Sequence, residues 1–211
     1  MESLAAIFAT SFVVALSGAL APGPMFTLTF AEGARGGWLA GPAVVFGHGV
    51  LELLLLALLV SGLGGMLASP LAVKVVGLAG GATLMVMGAL MLARPSAPSA
   101  GTAAGRGPGF FRLAAAGALT SISNPYWTLW WATVGMGYLA LSGRLGMAGV
   151  GSFFGGHILA DLAWFTLVSA LAASGRRFAG GRLYAYVTCL CGAFLVFFGG
   201  WFIYASLSRA A

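Results

Sequence analysis

The chain has 211 residues, of which 60% are hydrophobic and only 7% charged, and its mean hydropathy is +1.01. Soluble domains carry roughly 25% charged and 45–50% apolar residues, so this composition excludes an ordinary water-soluble domain and points to an integral membrane protein. The net charge of +6 does not indicate a nucleic-acid partner, because the basic residues lie in breaks between apolar stretches, as the positive-inside rule produces.

Six apolar stretches follow one another at 4–30, 38–61, 71–93, 113–141, 146–172 and 183–207. Each offers about 20 or more mostly apolar residues, enough for a helix to cross a hydrocarbon layer of about 30 Å. Within the first, Ala19-Leu20-Ala21 resembles a signal cleavage site. An acidic Glu2 in place of a basic leader, and Pro22 after the cut, favour a retained first helix instead. Pro22-Gly23-Pro24 then interrupts this stretch, and a proline removes a backbone donor and bends or breaks a helix. In hydrocarbon such freed backbone is tolerated only inside protein or beside a wet cavity.

The second stretch carries Gly47-His48-Gly49-Val50-Leu51-Glu52-Leu53. Gly77, Gly81 and Gly88 on the third stretch suit close helix contacts, and Met85, Met87 and Met91 read as core filling. Arg94 to Gly109 is rich in Pro, Ser, Gly and Ala and reads as a flexible linker. The expected organisation is a first three-helix repeat over 1–93, a linker over 94–112 and a second three-helix repeat over 113–211.

The fourth stretch is interrupted at Asn124-Pro125, followed by Tyr126, Trp127, Trp130 and Trp131. These aromatics either line a substrate path or gather at a membrane interface, where amphipathic rings settle, and the interface is the placement expected for them. The fifth stretch carries Gly156-His157-Ile158-Leu159-Ala160-Asp161-Leu162, with Gly151 and Gly155 as further small contacts. Cys189 and Cys191 on the sixth are two apart, which turns them to different helix faces, so neither a disulfide nor a metal clamp is expected.

The two halves match one another. Gly18-Ala19-Leu20 precedes Pro22 and Pro24, and Gly117-Ala118-Leu119 precedes Asn124-Pro125. Each half then reaches one copy of G-H-x-x-x-[E/D]-L. Three spans per half is odd, so the second half must insert in the opposite sense, which is the sign of an inverted repeat with a binding site at the midplane. The fold class expected is therefore an all-α polytopic membrane protein of six transmembrane helices in a 3+3 inverted repeat. Arg35, Arg94, Arg106, Arg112, Arg176, Arg177 and Arg182, opposed only by Glu32, share one side of this arrangement. Lys74, Arg144 and Arg209 with Glu2 share the other, which places the first side in the cytoplasm and both termini outside.

The two motif copies hold the only two histidines of the chain and two of its four acids. A His and a carboxylate four positions apart lie about 40° apart on a helix, on one face. An ionisable group at membrane depth is a functional-site hypothesis by default. If the second and fifth spans face each other, His48, Glu52, His157 and Asp161 form one cluster, and three readings of it stand. It is a proton carrier, a carboxylate tuned by its neighbouring His; or a site for a metal or other cation, since two imidazoles and two carboxylates suit Zn²⁺; or a structural set of hydrogen bonds between helices.

On Ala21-Pro22-Gly23-Pro24, the turn Glu32-Gly33-Ala34-Arg35-Gly36-Gly37, the stretches Gly41 to Gly49 and Ser69-Pro70-Leu71 to Leu92, and Thr120-Ser121-Ile122-Ser123-Asn124-Pro125, the chain resembles the LysE/RhtB family of amino-acid exporters in the LysE superfamily. The resemblance implies a multi-pass secondary transporter of the plasma (inner) membrane that exports amino acids or related metabolites by alternating access, coupled to proton exchange. It carries over substrate-binding and helix-break roles to Pro22, Gly23, Pro24, Asn124 and Pro125. The second span departs from the family pattern, where small or apolar residues are expected at the places of His48 and Glu52. Related branches export divalent metal ions, which makes metal export through the His/acid cluster the alternative. Others are thiol-disulfide conduits, but those need paired cysteines on separate helices, unlike Cys189 and Cys191. Neither enzymatic activity nor a resident cofactor is expected. The expected partners are a small-molecule substrate, protons or another coupling ion, the lipid bilayer and a second copy of the chain forming a homodimer.

Overall fold

The computed structural model describes residues 3–63, 70–93, 108–175 and 181–208. Regular structure among them is entirely helical: α1 Leu4–Ala19, α2 Pro24–Gly36, α3 Ala40–Leu58, α4 Pro70–Ala93, α5 Phe110–Ile122, α6 Pro125–Trp130, α7 Met136–Gly143, α8 Gly146–Gly175 and α9 Gly181–Ser208. Single π-helical turns follow α3 at Leu59–Leu63 and join α6 to α7 at Trp131–Gly135.

Local chemistry sets the ends. The Ser3 side chain accepts from the Ala6 N–H at 3.2 Å and caps α1. Gly62 takes φ 96° in the turn that ends α3, a left-handed conformation that glycine adopts without steric penalty. Both proline interruptions are new helix starts rather than kinks. Gly23 is extended and Pro24 opens α2, which leaves α1 and α2 bent by 83° across the break. In the second half Asn124 leaves helical geometry (φ −96°, ψ 105°) and Pro125 opens α6. A residue before proline is driven from the α region, and proline at the first helical position loses no bond.

Three helices are long and apolar enough to cross a membrane, at Ala40–Gly62, Gly146–Ser174 and Ala185–Ser208, or four if the bent pair α1–α2 is one span. Leu78–Ala93 and Phe110–Ile122 are shorter apolar helices. The expected first stretch, 4–30, is thus two helices at a steep angle, and the expected fourth, 113–141, starts at Phe110 and is broken at Asn124. The linker expected at 94–112 lies outside the described residues up to 107. So do Glu2, Arg94, Arg106, Arg176, Arg177 and Arg209 of the charge count, as well as Ser69.

Glycines bring the helices together. A Cβ on Gly47 would collide with the Ala114 carbonyl, and one on Gly117 with the Val44 carbonyl, so α3 and α5 touch backbone to backbone. The second motif copy does the same against α1: a Cβ on Gly156 would strike the Phe8 carbonyl, and Ser11 Oγ donates to the Phe153 carbonyl at 2.7 Å. Gly81 and Gly88 on α4 meet Gly199 and Gly192 on α9 in the same way. Gly151 faces open space, and Gly155 only reaches the Phe8 ring. Met87 and Met91 pack on the apolar cluster of Leu84, Leu195 and Phe202. Cys189 and Cys191 are free thiols.

Candidate functional site

The two motif helices, α3 and α8, pack side by side, and their four ionisable side chains meet there. His48, Glu52, His157 and Asp161 are each 5% exposed or less. His48 Nε2 lies 3.1 Å from Glu52 Oε1, its partner along α3, and 3.4 Å from Asp161 Oδ2 across the helix pair. His157 Nε2 lies 2.8 Å from Glu52 Oε2 and 3.4 Å from Asp161 Oδ2. One donor atom from each residue falls within 4.8 Å of every other. Each motif therefore supplies a His and an acid on one face, and the glycine before each His lets its helix approach the first helix of the other half.

Further groups hold this cluster. The indole N–H groups of Trp127 and Trp131 both donate to Glu52 Oε1, at 2.9 and 2.7 Å. Two donors on one carboxylate oxygen suit an anion, since hydrogen bonds to a charged acceptor are about twice as strong as neutral ones. Ser121 Oγ lies 2.7 Å from His48 Nδ1 and 2.8 Å from the Gly117 carbonyl. The carbonyl can only accept, so both contacts are made at once only if Ser121 donates to Gly117 and Nδ1–H donates to Ser121. His157 has no such anchor: its Nδ1 has no hydrogen-bond partner among the described residues. Trp130, Trp131 and Phe153 surround its ring at centroid distances of 4.7, 5.7 and 6.1 Å.

The short contacts of His157 are close without being aligned. Its Nε2, Glu52 Oε2 and Asp161 Oδ2 all lack a hydrogen-bond partner by direction, although 2.8 Å separates the nearest pair.

A cavity of 70 Å³ opens beside the cluster. At about 10–15 Å³ for one water, it has room for roughly five. Pro22 and Gly23 of the first break, Asn124 of the second, and His48, Ser121 and Asp161 all line it. Both chain breaks and the ionisable cluster thus share one chamber. Asn124 spends its side-chain oxygen on capping α6, accepting from the Tyr126 N–H at 3.1 Å. Pro24 is buried at the start of α2. A second groove of 320 Å³, at Pro42, Val45, Phe46, Ile158 and Leu162, is lined by apolar side chains and glycine only and offers nothing to orient a polar solute.

Trp127 and Trp131 are corrected from interface anchors to Glu52 donors, and Trp130 and Trp131 are buried. Their signal in the sequence is the four-residue spacing of Trp127 and Trp131, the same spacing that joins each His to its acid. Ser121 carries no such mark, because its role depends on which helix lies opposite.

A family model described as LysE type translocator matches residues 16–206. Neither the curated proteins nor the solved structures yield a match.

Proposed function

The chain belongs to the LysE type translocator family, and from that membership we propose a secondary exporter of amino acids or related small metabolites, coupled to proton exchange by alternating access. It is a membrane transporter; the solute class, the coupling and the conformational cycle are this proposal's own. The observation that carries it is the shared chamber. Pro22, Gly23, Asn124, His48 and Asp161 line one cavity, so a solute held at the two helix breaks would touch the ionisable cluster.

The proposed architecture is the 3+3 inverted repeat in the inner membrane, with both termini outside the cytoplasm. Support comes from the crossed contacts: the second helix of each half packs on the first helix of the other, at Gly47–Ala114 and at Gly156–Phe8. Repeats related in this way rock against each other around a fixed site. The chamber as it stands holds water or a small polar head group, and admitting a larger solute requires the breaks to part. The N-cap residues of α2 and α6, Gly23 and Asn124, line the chamber, a setting that favours a carboxylate group on the solute.

Within this reading the cluster of His48, Glu52, His157 and Asp161 carries the coupled proton, with Asp161 as the carboxylate that a solute meets. Asp161 borders the chamber, whereas Glu52 lies behind it under two indole donors. The test is reconstitution in proteoliposomes with an imposed pH gradient, screening amino acids and small carboxylates for accumulation and counterflow. Wild-type protein should accumulate one solute class against its gradient and move protons with it. Asp161→Asn should retain counterflow but lose gradient-driven accumulation. Accumulation that is the same in Asp161→Asn, or indifferent to the pH gradient, rules the coupling out.

A further inference from the structure

We propose that His48, Glu52, His157 and Asp161 form a binding site for one divalent transition-metal ion of the Zn²⁺, Co²⁺ or Ni²⁺ class, tying α3 to α8. It uses the same side chains as the transport reading without depending on it: the ion binds only while Asp161 is deprotonated, so ion and coupled proton exclude one another.

The first argument is the direction of lone pairs. With Ser121 donating to the Gly117 carbonyl, its contact to His48 places a proton on Nδ1. A neutral His48 then turns the Nε2 lone pair toward Glu52 Oε1 at 3.1 Å and Asp161 Oδ2 at 3.4 Å. Three electron-rich atoms facing one another in an apolar interior repel unless a proton on Nε2 or a metal ion stands among them. A ring N–H held by a neighbouring oxygen, with the opposite nitrogen aimed inward, is how metal-bound histidines are oriented.

Geometry is the second argument. With Glu52 Oε2 as its ligand atom, three His–carboxylate edges are short, at 3.4, 2.8 and 3.4 Å, and one ligand atom from each of the four residues lies within 4.8 Å of every other. Metal bonds of about 2.0–2.2 Å to nitrogen and oxygen give tetrahedral edges of about 3.3–3.6 Å, so two of these edges are already of that length, and the widest separation closes by roughly 1 Å on binding. Glu52 Oε2, His157 Nε2 and Asp161 Oδ2 are buried and lack aligned hydrogen bonds, which leaves them available as ligands. Glu52 Oε1 is already occupied by Trp127 and Trp131, an outer shell that orients the carboxylate.

Charge and donor type select the ion. Two carboxylates and a dication sum to zero, which removes the penalty of isolated charges in a low-dielectric interior. Two imidazoles with two carboxylates favour borderline transition metals over Mg²⁺ and Ca²⁺, which prefer all-oxygen shells. The ion has a route in, since His48 and Asp161 line the chamber. Bound there, it would hold the two halves in the arrangement described above.

The test uses the purified, metal-stripped full chain without a polyhistidine tag, titrated with Co²⁺ and then Zn²⁺. The expected result is one equivalent of Co²⁺ per chain with the visible spectrum of a four-coordinate N/O site, displaced by Zn²⁺ and indifferent to Mg²⁺ and Ca²⁺. Because the chain has only two histidines, the double change His48→Gln/His157→Gln should abolish that spectrum. Ser121→Ala, which keeps all four ligands, should weaken Co²⁺ roughly tenfold or more. Wild-type protein that elutes as a single species with intact helical circular dichroism, yet takes up no stoichiometric Co²⁺, overturns the proposal even if no variant folds. So does Co²⁺ binding that survives the double His change. Metal binding without proton-coupled transport would sink the coupling alone, and the reverse result would sink this site alone.

Discussion

Trp131 is 3% exposed and sends its N–H to a carboxylate that is 1% exposed, so neither group has water to fall back on. A hydrogen bond to a charged group is worth about 1.5–3 kcal/mol. Trp131→Phe, which keeps an aromatic ring but deletes the donor, should lower stability by about that amount in a reversible unfolding titration in mixed micelles. The same change in a Glu52→Gln background should cost much less, because the neutral amide no longer needs a second donor. A double-mutant cycle isolates this coupling, and additive costs would show that Glu52 is not held as an anion by the indoles. Trp127, which gives the other hydrogen bond at 2.9 Å, keeps part of the interaction in place.

Helices meet here through missing side chains. In a bilayer the lipid tails are as apolar as the helix faces, so association depends on close packing rather than on the hydrophobic effect. Gly47 sits where α3 touches the carbonyl of Ala114, a rigid backbone atom that cannot move aside. Gly47→Ala should therefore push α3 from α5, shift His48 away from Ser121, and sharply reduce the yield of folded protein. Gly151→Ala is the internal control, because a Cβ there meets nothing. Alanine in a helix interior is favoured over glycine by about 0.5–1 kcal/mol, so that variant should be as stable as the parent or more so. Equal melting temperatures for the two variants would rule out the backbone contact at Gly47. The broken elements follow a related logic: α5 ends at Ile122, Pro125 keeps Asn124 out of the α region, and the Asn124 side chain then starts α6.

The whole molecule is arranged inside out relative to a soluble protein. Val13, Leu190 and Phe197 are 66–68% exposed, while the ionisable residues of both motifs are buried. That distribution places lipid outside and polar chemistry at the centre, as expected where hydrocarbon is the solvent. The loop charges support the proposed orientation, with seven arginines on the side of the expected first, third and fifth connections against three basic residues on the other. Reporters fused to either terminus should be active only in a form that works outside the cytoplasm. A cytoplasm-specific reporter active at both termini would reverse the orientation, and opposite results at the two ends would break the even span count.

Much of this was legible without coordinates. Composition required a membrane protein, because 7% charge cannot cover a water-exposed surface. The Pro22-Gly23-Pro24 and Asn124-Pro125 breaks followed from the covalent limits of proline, and the shared face of each His and acid followed from the helical period. These are local constraints, fixed by a residue and its neighbours within one turn. Where the two faces meet was a different matter. The tautomer of His48 depends on Ser121, 73 positions away, and the anchoring of Glu52 on Trp127 and Trp131, 75 and 79 positions away. The same indoles would be interface anchors if α6 lay against lipid. Only the packing of α3, α5, α6 and α8 around one chamber decided otherwise, because a hydrogen bond or an ion site requires atoms within about 3 Å, and sequence spacing sets such distances only along a single helix.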